Sequence, residues 1–75
     1  MNWKDPSKEL PDYDVEVLTM CEDKDGELFA GIKHRSKRKG ISRDKYGFAV
    51  YVPGRKVLGW IAMIITTHGN NDYEI

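Results

Sequence analysis

Val15, Val17 and Thr19 recur at every second position from residue 15, and an Asp25-Gly26 pair follows them within reach of a hairpin. No other feature constrains the fold as much. Spaced this way, β-branched residues suit a pleated strand with one covered face, and Asp-Gly suits the positive φ angles of a two-residue hairpin loop. With Asp25 and Gly26 as that loop, Lys24 faces Glu27, Cys21 faces Ala30 and Thr19 faces Ile32. One face then carries Val15, Val17, Thr19, Cys21, Leu28, Ala30 and Ile32, and this is the expected core face. The other carries Asp14, Glu16, Leu18, Met20, Glu22, Phe29 and Lys33. A slip of one residue would exchange the two faces of a strand, so the register matters. Leu18, Met20 and Phe29 need cover of their own, from Trp3 or from the C-terminal segment.

The chain before the hairpin is punctuated by prolines. Pro6 argues against a helix across the first ten residues, and Leu10-Pro11 holds Leu10 extended. Trp3, a large indole, is expected to close one end of the core. After the hairpin, Lys33 to Lys45 holds seven of the twelve Lys and Arg residues and a single apolar one. Without an apolar stripe and with strong self-repulsion, it reads as a loop or strand-end excursion rather than a helix. Tyr46, Phe48 and Val50 alternate over a further strand to Val52, with Gly47 marking a bulge, and Pro53-Gly54 marks a turn. The run from Val57 to Ile65 is too continuous for a strand with one wet face. A central strand bent at Gly59 is expected, with a short helix over 60–65 as the alternative. His68 to Asp72 reads as a polar, frayed end. No internal repeat is apparent.

Seventy-five residues allow one domain, 1–75, near the lower size at which a core stands without disulfides or metal. A hydrophobic fraction of 40% and a charged fraction of 32% fit an ordinary folded domain. The lone Cys21 cannot form an internal disulfide, which points to a reducing, cytoplasmic setting. The apolar runs are too short for a signal peptide core or a membrane span.

The net charge of zero conceals blocks: −6 over residues 1–30, +8 over 31–60 and −2 over 61–75. An antiparallel fold would neutralise these by laying the acidic part beside the basic part; otherwise the blocks steer partners. The basic loop 33–45 carries the candidate partner-binding residues Lys33, Arg35, Lys37, Arg38, Lys39, Arg43 and Lys45, with Tyr46 beside them. An acidic protein surface and a phosphate backbone would both be served by it.

Signals for chemistry are weak. Aligning Gly26 with the sixth position of a calcium loop puts Cys21 first and Ile32 twelfth, so both key ligands are missing. Cys21, His34 and His68 lack the spacing of a zinc site. No nucleophile motif flanks Ser7, Ser36, Ser42 or Cys21, and the glycines form no phosphate fingerprint. The reading is a protein that is not an enzyme, with no metal and no cofactor.

Trp3, then Leu10-Pro11, then Val17-Leu18 resembles the opening of a phage and prophage family catalogued as domain of unknown function 551. Members of that family begin with tryptophan, reach Leu-Pro after the same spacing, and enter a Val-Leu strand after a short polar stretch. The family's closing Thr-His-Trp-Met-Pro-Leu-Pro segment corresponds to Leu58-Gly59-Trp60-Ile61-Ala62-Met63, which lacks the Thr-His pair and both prolines. The resemblance implies a small cytoplasmic protein of phage type and offers no catalytic residue to carry over; binding of a host protein is an analogy from the way small phage accessory proteins commonly act.

The expected architecture is therefore mainly β: a small twisted antiparallel sheet of four to five strands, with a barrel-like curl. The expected function is a non-enzymatic binding module that engages, and inhibits, a host protein through its charged surface. Nucleic-acid binding by loop 33–45 is the alternative, and a homodimer through the sheet edge is open to either.

Overall fold

The computed structural model describes residues 2–63. Three strands, β1 (Val17–Glu22), β2 (Leu28–Lys33) and β3 (Lys56–Ala62), form one antiparallel sheet in the order β2-β1-β3. The fold is mainly β as expected, but the sheet has three strands instead of four to five, and among the described residues it stays open instead of closing toward a barrel. Single bridges, Arg35 with Phe48 and Arg43 with Ala49, stand where the strand over 46–52 was expected, and Lys4 pairs with Trp60 along the outer edge of β3.

The hairpin between β1 and β2 differs from the Asp25-Gly26 expectation by one residue. Glu22 faces Leu28, Cys21 faces Phe29 and Thr19 faces Gly31. Its loop has three residues because Asp23 organises it: one carboxylate oxygen, Oδ1, accepts the backbone N–H groups of both Asp25 and Glu27 at 2.9 Å. Gly26 alone takes a positive φ, 83°, and donates to the Asp23 carbonyl at 3.0 Å. This is a type I turn closed by a left-handed glycine, the usual three-residue hairpin loop.

That single-residue shift leaves the β1 face as expected and inverts that of β2. Val17, Thr19 and Cys21 are buried, whereas Leu28 and Ile32, expected in the core, are 62% and 57% exposed. Ala30 is exposed with them, and Phe29, Gly31 and Lys33 turn to the covered side. Val15 is also outside, because the chain takes a left-handed turn at Asp14 (φ 66°) and β1 begins only at Val17.

The covered face is closed by a second, smaller hairpin, residues 42–50, where a plain strand was expected. Its turn repeats the first. Asp44 Oδ1 accepts the N–H groups of Tyr46 and Phe48 at 2.9 Å, and Gly47, at φ 94°, donates to the Asp44 carbonyl at 3.0 Å. Asp23-Lys24-Asp25-Gly26-Glu27 and Asp44-Lys45-Tyr46-Gly47-Phe48 are thus one motif used twice, an internal repeat that the sequence reading missed. The second turn delivers Phe48 and Ala49 onto Val17, Cys21, Val57 and Trp60, with Phe29 and Tyr46 packed against this cluster. Inside it Thr19 Oγ1 donates to the Gly31 carbonyl at 2.8 Å; that hydroxyl has one proton, so the Cys21 thiol, 3.2 Å away, donates to the same oxygen.

β3 settles residues 60–62 as strand, but at the edge of the sheet, with β1 in the centre where this segment was expected; Ile64 and Ile65, and the polar end at 68–72, lie outside the described residues. Its register shifts opposite Met20 and Cys21, the irregularity expected near Gly59. Gly59 is required by proximity: a Cβ there would sit 2.8 Å from the Cβ of Trp3. Trp3 is accordingly half-buried over β3 rather than enclosed in the core. Trp60, 5% exposed, donates its indole N–H to the Glu9 carbonyl at 2.9 Å. Glu9 ends a turn in which the Asp5 carbonyl accepts the Lys8 and Glu9 N–H groups at 2.9 and 3.0 Å, and the Asp5 carboxylate accepts the Ser7 hydroxyl and N–H; these last bonds lower the Asp5 pKa, the hydroxyl first.

Phe48 fills the space between the small hairpin and the sheet, so Phe48→Ala is expected to cost about 3–5 kcal/mol, a large share of the stability of a domain this size. Val15→Ala should change stability by no more than about 0.5 kcal/mol. Urea denaturation of the two variants checks both, and a costly Val15→Ala would place that valine in the core after all.

Candidate functional site

Beyond Lys33 the chain of β2 continues as a short extended segment, His34 to Ser36, with partners on both sides. The Asp14 N–H donates to the Arg35 carbonyl at 2.8 Å, the Ser36 N–H to the Gly47 carbonyl at 3.0 Å, and the Ala49 N–H to the His34 carbonyl at 3.2 Å. The basic segment therefore begins inside the fold, and only its middle, 37–42, is a free-running loop between this segment and the small hairpin.

Arg35 fixes that junction. Its Nε donates to the Tyr46 carbonyl at 2.7 Å, one terminal nitrogen to the Pro11 carbonyl at 2.8 Å and the other to the Tyr13 hydroxyl at 3.0 Å. Its guanidinium also lies 4.0 Å from the Tyr13 ring centre. Three chain segments meet on one side chain whose planar fork lysine cannot copy. Gly47 permits this approach as well as the turn, since a Cβ there would lie 3.2 Å from Arg35 Nε.

The other expected partner-binding residues divide in two groups. Arg43 donates to the Ser36 and Arg38 carbonyls at 3.3 and 3.0 Å, bracing the loop from within. Lys33 donates to the Ala49 carbonyl at 3.2 Å, and Tyr46 is half-buried against the core. These four residues, Lys33, Arg35, Arg43 and Tyr46, hold the fold together. Lys37, Arg38, Lys39 and Lys45 are exposed like Arg43, but their side chains make no hydrogen bond to a carbonyl among the described residues. Lys37 and Lys45 place their ammonium groups 4.6 and 5.1 Å from the ring centres of Tyr13 and Tyr46.

The acidic N-terminal part does run beside the basic segment, through the Tyr13–Arg35 bridge and the β1–β2 pairing, but no direct ion pair joins the two among the described residues. Among the described residues the ion pairs are Lys4–Glu9 at 3.5 Å and Lys56–Glu22 at 3.3 Å, and neither involves residues 33–45. The loop's positive charge instead faces carbonyls, aromatic rings and solvent. Such a cluster raises the local potential and draws anionic groups toward it.

At the opposite end of β2 an open cleft of about 360 Å³ lies between the first turn and Pro53, lined by Asp23, Lys24, Asp25, Val52, Pro53 and Arg55. Neither Cys21 nor His34 lines it, and His68 lies outside the described residues. No three His, Cys, Asp or Glu side chains converge as metal ligands among the described residues, and no helix there is long and apolar enough to cross a membrane.

In comparisons with known proteins, no family model, no curated protein and no solved structure matched the chain.

The division of the cations has a measurable consequence. Replacing Lys37, Arg38 and Lys39 together by Ala should leave stability within about 0.5 kcal/mol of the parent. Arg35→Lys should cost about 1.5–3 kcal/mol through its lost charged hydrogen bonds. Equal costs in urea denaturation would mean that the exposed cations also hold the fold.

Proposed function

We propose that this protein is a small, non-enzymatic binding module of the phage or prophage kind that its N-terminal third resembles. It works in the cytoplasm and engages a host protein, as an inhibitor, through the cationic loop. The observation that carries this reading is the set of exposed cations at Lys37, Arg38 and Lys39 on a braced loop and Lys45 in the hairpin turn that follows it, paired with no carboxylate among the described residues. Arg43 and Arg35 fix the loop's base, so less conformational freedom is lost when a partner docks. An acidic protein surface suits four such cations.

A nucleic-acid strand is the second reading, and one observation favours it. Tyr51 is 71% exposed, one residue beyond Val50, whose N–H bonds the Ser42 carbonyl at the end of the loop. A base could stack there while the cations meet phosphates. Against it, the rings of Tyr13 and Tyr46 are already covered by the protein's own cations.

Capture of partners from a bacterial lysate separates the readings. The expected result is a retained protein that survives nuclease treatment and is lost with the Lys37, Arg38 and Lys39 triple alanine variant. Capture unchanged in that variant would remove the loop from the function. Capture abolished by nuclease, with binding to a mixed-sequence RNA that weakens steeply with salt, would move the assignment to nucleic acid.

A further inference from the structure

The outer edge of β2 has no backbone partner along Leu28 to Ile32 among the described residues. Hydrogen-bonded pairs alternate along an antiparallel ladder, and the Asp23–Glu27 bond sets the phase. Phe29, Gly31 and Lys33 thus direct their N–H and C=O groups to β1, and Leu28, Ala30 and Ile32 direct theirs outward. Exposed edges in natural sheets are commonly guarded by an inward charge, a proline or a bulge. Leu28-Phe29-Ala30-Gly31-Ile32 has none of these within it, the one inward charge of β2 being Lys33 at its very end, and Leu28 and Ile32 are among the most exposed large apolar side chains.

We propose that this edge pairs with the same edge of a second copy, joining two three-stranded sheets into one continuous sheet about a two-fold axis at Ala30. The segment is complementary to itself when reversed. About Ala30, Leu28 meets Ile32 of the partner subunit as an apolar cross-strand pair on the outer face. Phe29 meets Gly31 of the partner subunit, where the absent side chain leaves room for the ring. Glu27 meets Lys33 of the partner subunit, so opposite charges face each other at both ends of the ladder. The register also uses the groups that point outward. Ala30 exchanges hydrogen bonds with its own copy, and Leu28 exchanges them with Ile32 of the partner subunit. A one-residue shift would set inward-directed groups against outward ones and face Glu27 with an uncharged residue. The open stretch ends where the Ala49 N–H takes the His34 carbonyl, and at its other end β2 passes into the hairpin turn. Charge complementarity favours the second copy over an unrelated strand, because the sequence itself supplies both halves of each pair.

Sedimentation velocity of the intact chain from about 10 μM to 1 mM tests this, over the range in which so small an interface associates. The expected result is a reversible monomer–dimer equilibrium. Glu27→Lys, at an exposed side chain whose backbone contact to Asp23 is retained, sets like charges opposite each other and should weaken the dimer about tenfold or more. Adding Lys33→Glu reverses both charges and should restore it. Amide exchange should show Leu28, Ala30 and Ile32 gaining protection with concentration, while Phe29, Gly31 and Lys33 are protected throughout. A chain that stays monomeric at about 1 mM overturns the proposal. So does a dimer with no added protection at those three amides, or a double variant that folds by circular dichroism yet fails to recover association.

Discussion

A single carboxylate oxygen, Oδ1 of Asp23, accepting two backbone N–H groups, decides how this sheet is built. It makes the first loop three residues long instead of two, and that one residue determines which side of β2 meets the core. With the shorter loop, Leu28, Ala30 and Ile32 would lie beneath the small hairpin. With the observed one, Phe29 lies there, stacked on its far side by the guanidinium of Arg55 at 4.7 Å, and the aliphatic residues face outward. Placing the one aromatic ring of the strand in the core gives more buried area from a single position than either leucine or isoleucine would.

Asp44 performs the same operation at the second turn, with a different consequence. Because Tyr46 and Phe48 follow it, the turn itself carries core residues, and the small hairpin acts as a lid on the sheet without contributing a strand to it. A chain of this length has few apolar residues to spare. Its cations make up part of the shortfall: Arg35 ties Pro11, Tyr13 and Tyr46 together, Arg43 braces the loop that leads into the lid, and Lys33 reaches its second arm. Hydrogen bonds from charged donors to buried or half-buried carbonyls are stronger than neutral ones, so these contacts hold loops that the core alone would leave loose.

What the sequence made legible follows from which interactions are local. The β character, the location of the first hairpin, β1 with Val17, Thr19 and Cys21 inward and the turn at Pro53-Gly54 are set by near neighbours and were readable; the irregularity near Gly59 was readable from the glycine itself, although the contact that requires it is with distant Trp3. The β2 register was not, because Asp-Gly is compatible with loops of two or three residues and only the carboxylate two positions earlier separates them. That signal was present in the recurrence of Asp-Lys-x-Gly at residues 23 and 44, which the reading passed over. The roles of Arg35 and Arg43 were illegible for another reason. Their acceptors are backbone carbonyls, some of them more than ten residues away, and carbonyls leave no mark in a sequence. A run of seven basic residues looked uniform when three of them were already committed.

The split between committed and free cations changes how charge should be read in so small a protein. Counting Lys and Arg in 33–45 suggests a broad positive surface, whereas the geometry leaves four cations uncommitted to carbonyls, Lys37 to Lys39 on the braced loop and Lys45 in the turn of the small hairpin, and an apolar strand edge besides. The two surfaces obey different physics. Attraction to the loop is long-ranged and fades with salt, while strand pairing rests mainly on backbone groups and apolar side chains, with only the charge pairs at its two ends sharing that dependence on salt. Lys33 lies where they meet, at the end of β2 and the start of the basic segment, with one hydrogen bond from its ammonium already given to Ala49. An ammonium has three donors, so this commitment leaves two for an acidic group set beside it. The position of that lysine couples the edge to the loop: whatever neutralises it at the strand end lowers the positive potential that the loop presents next to it.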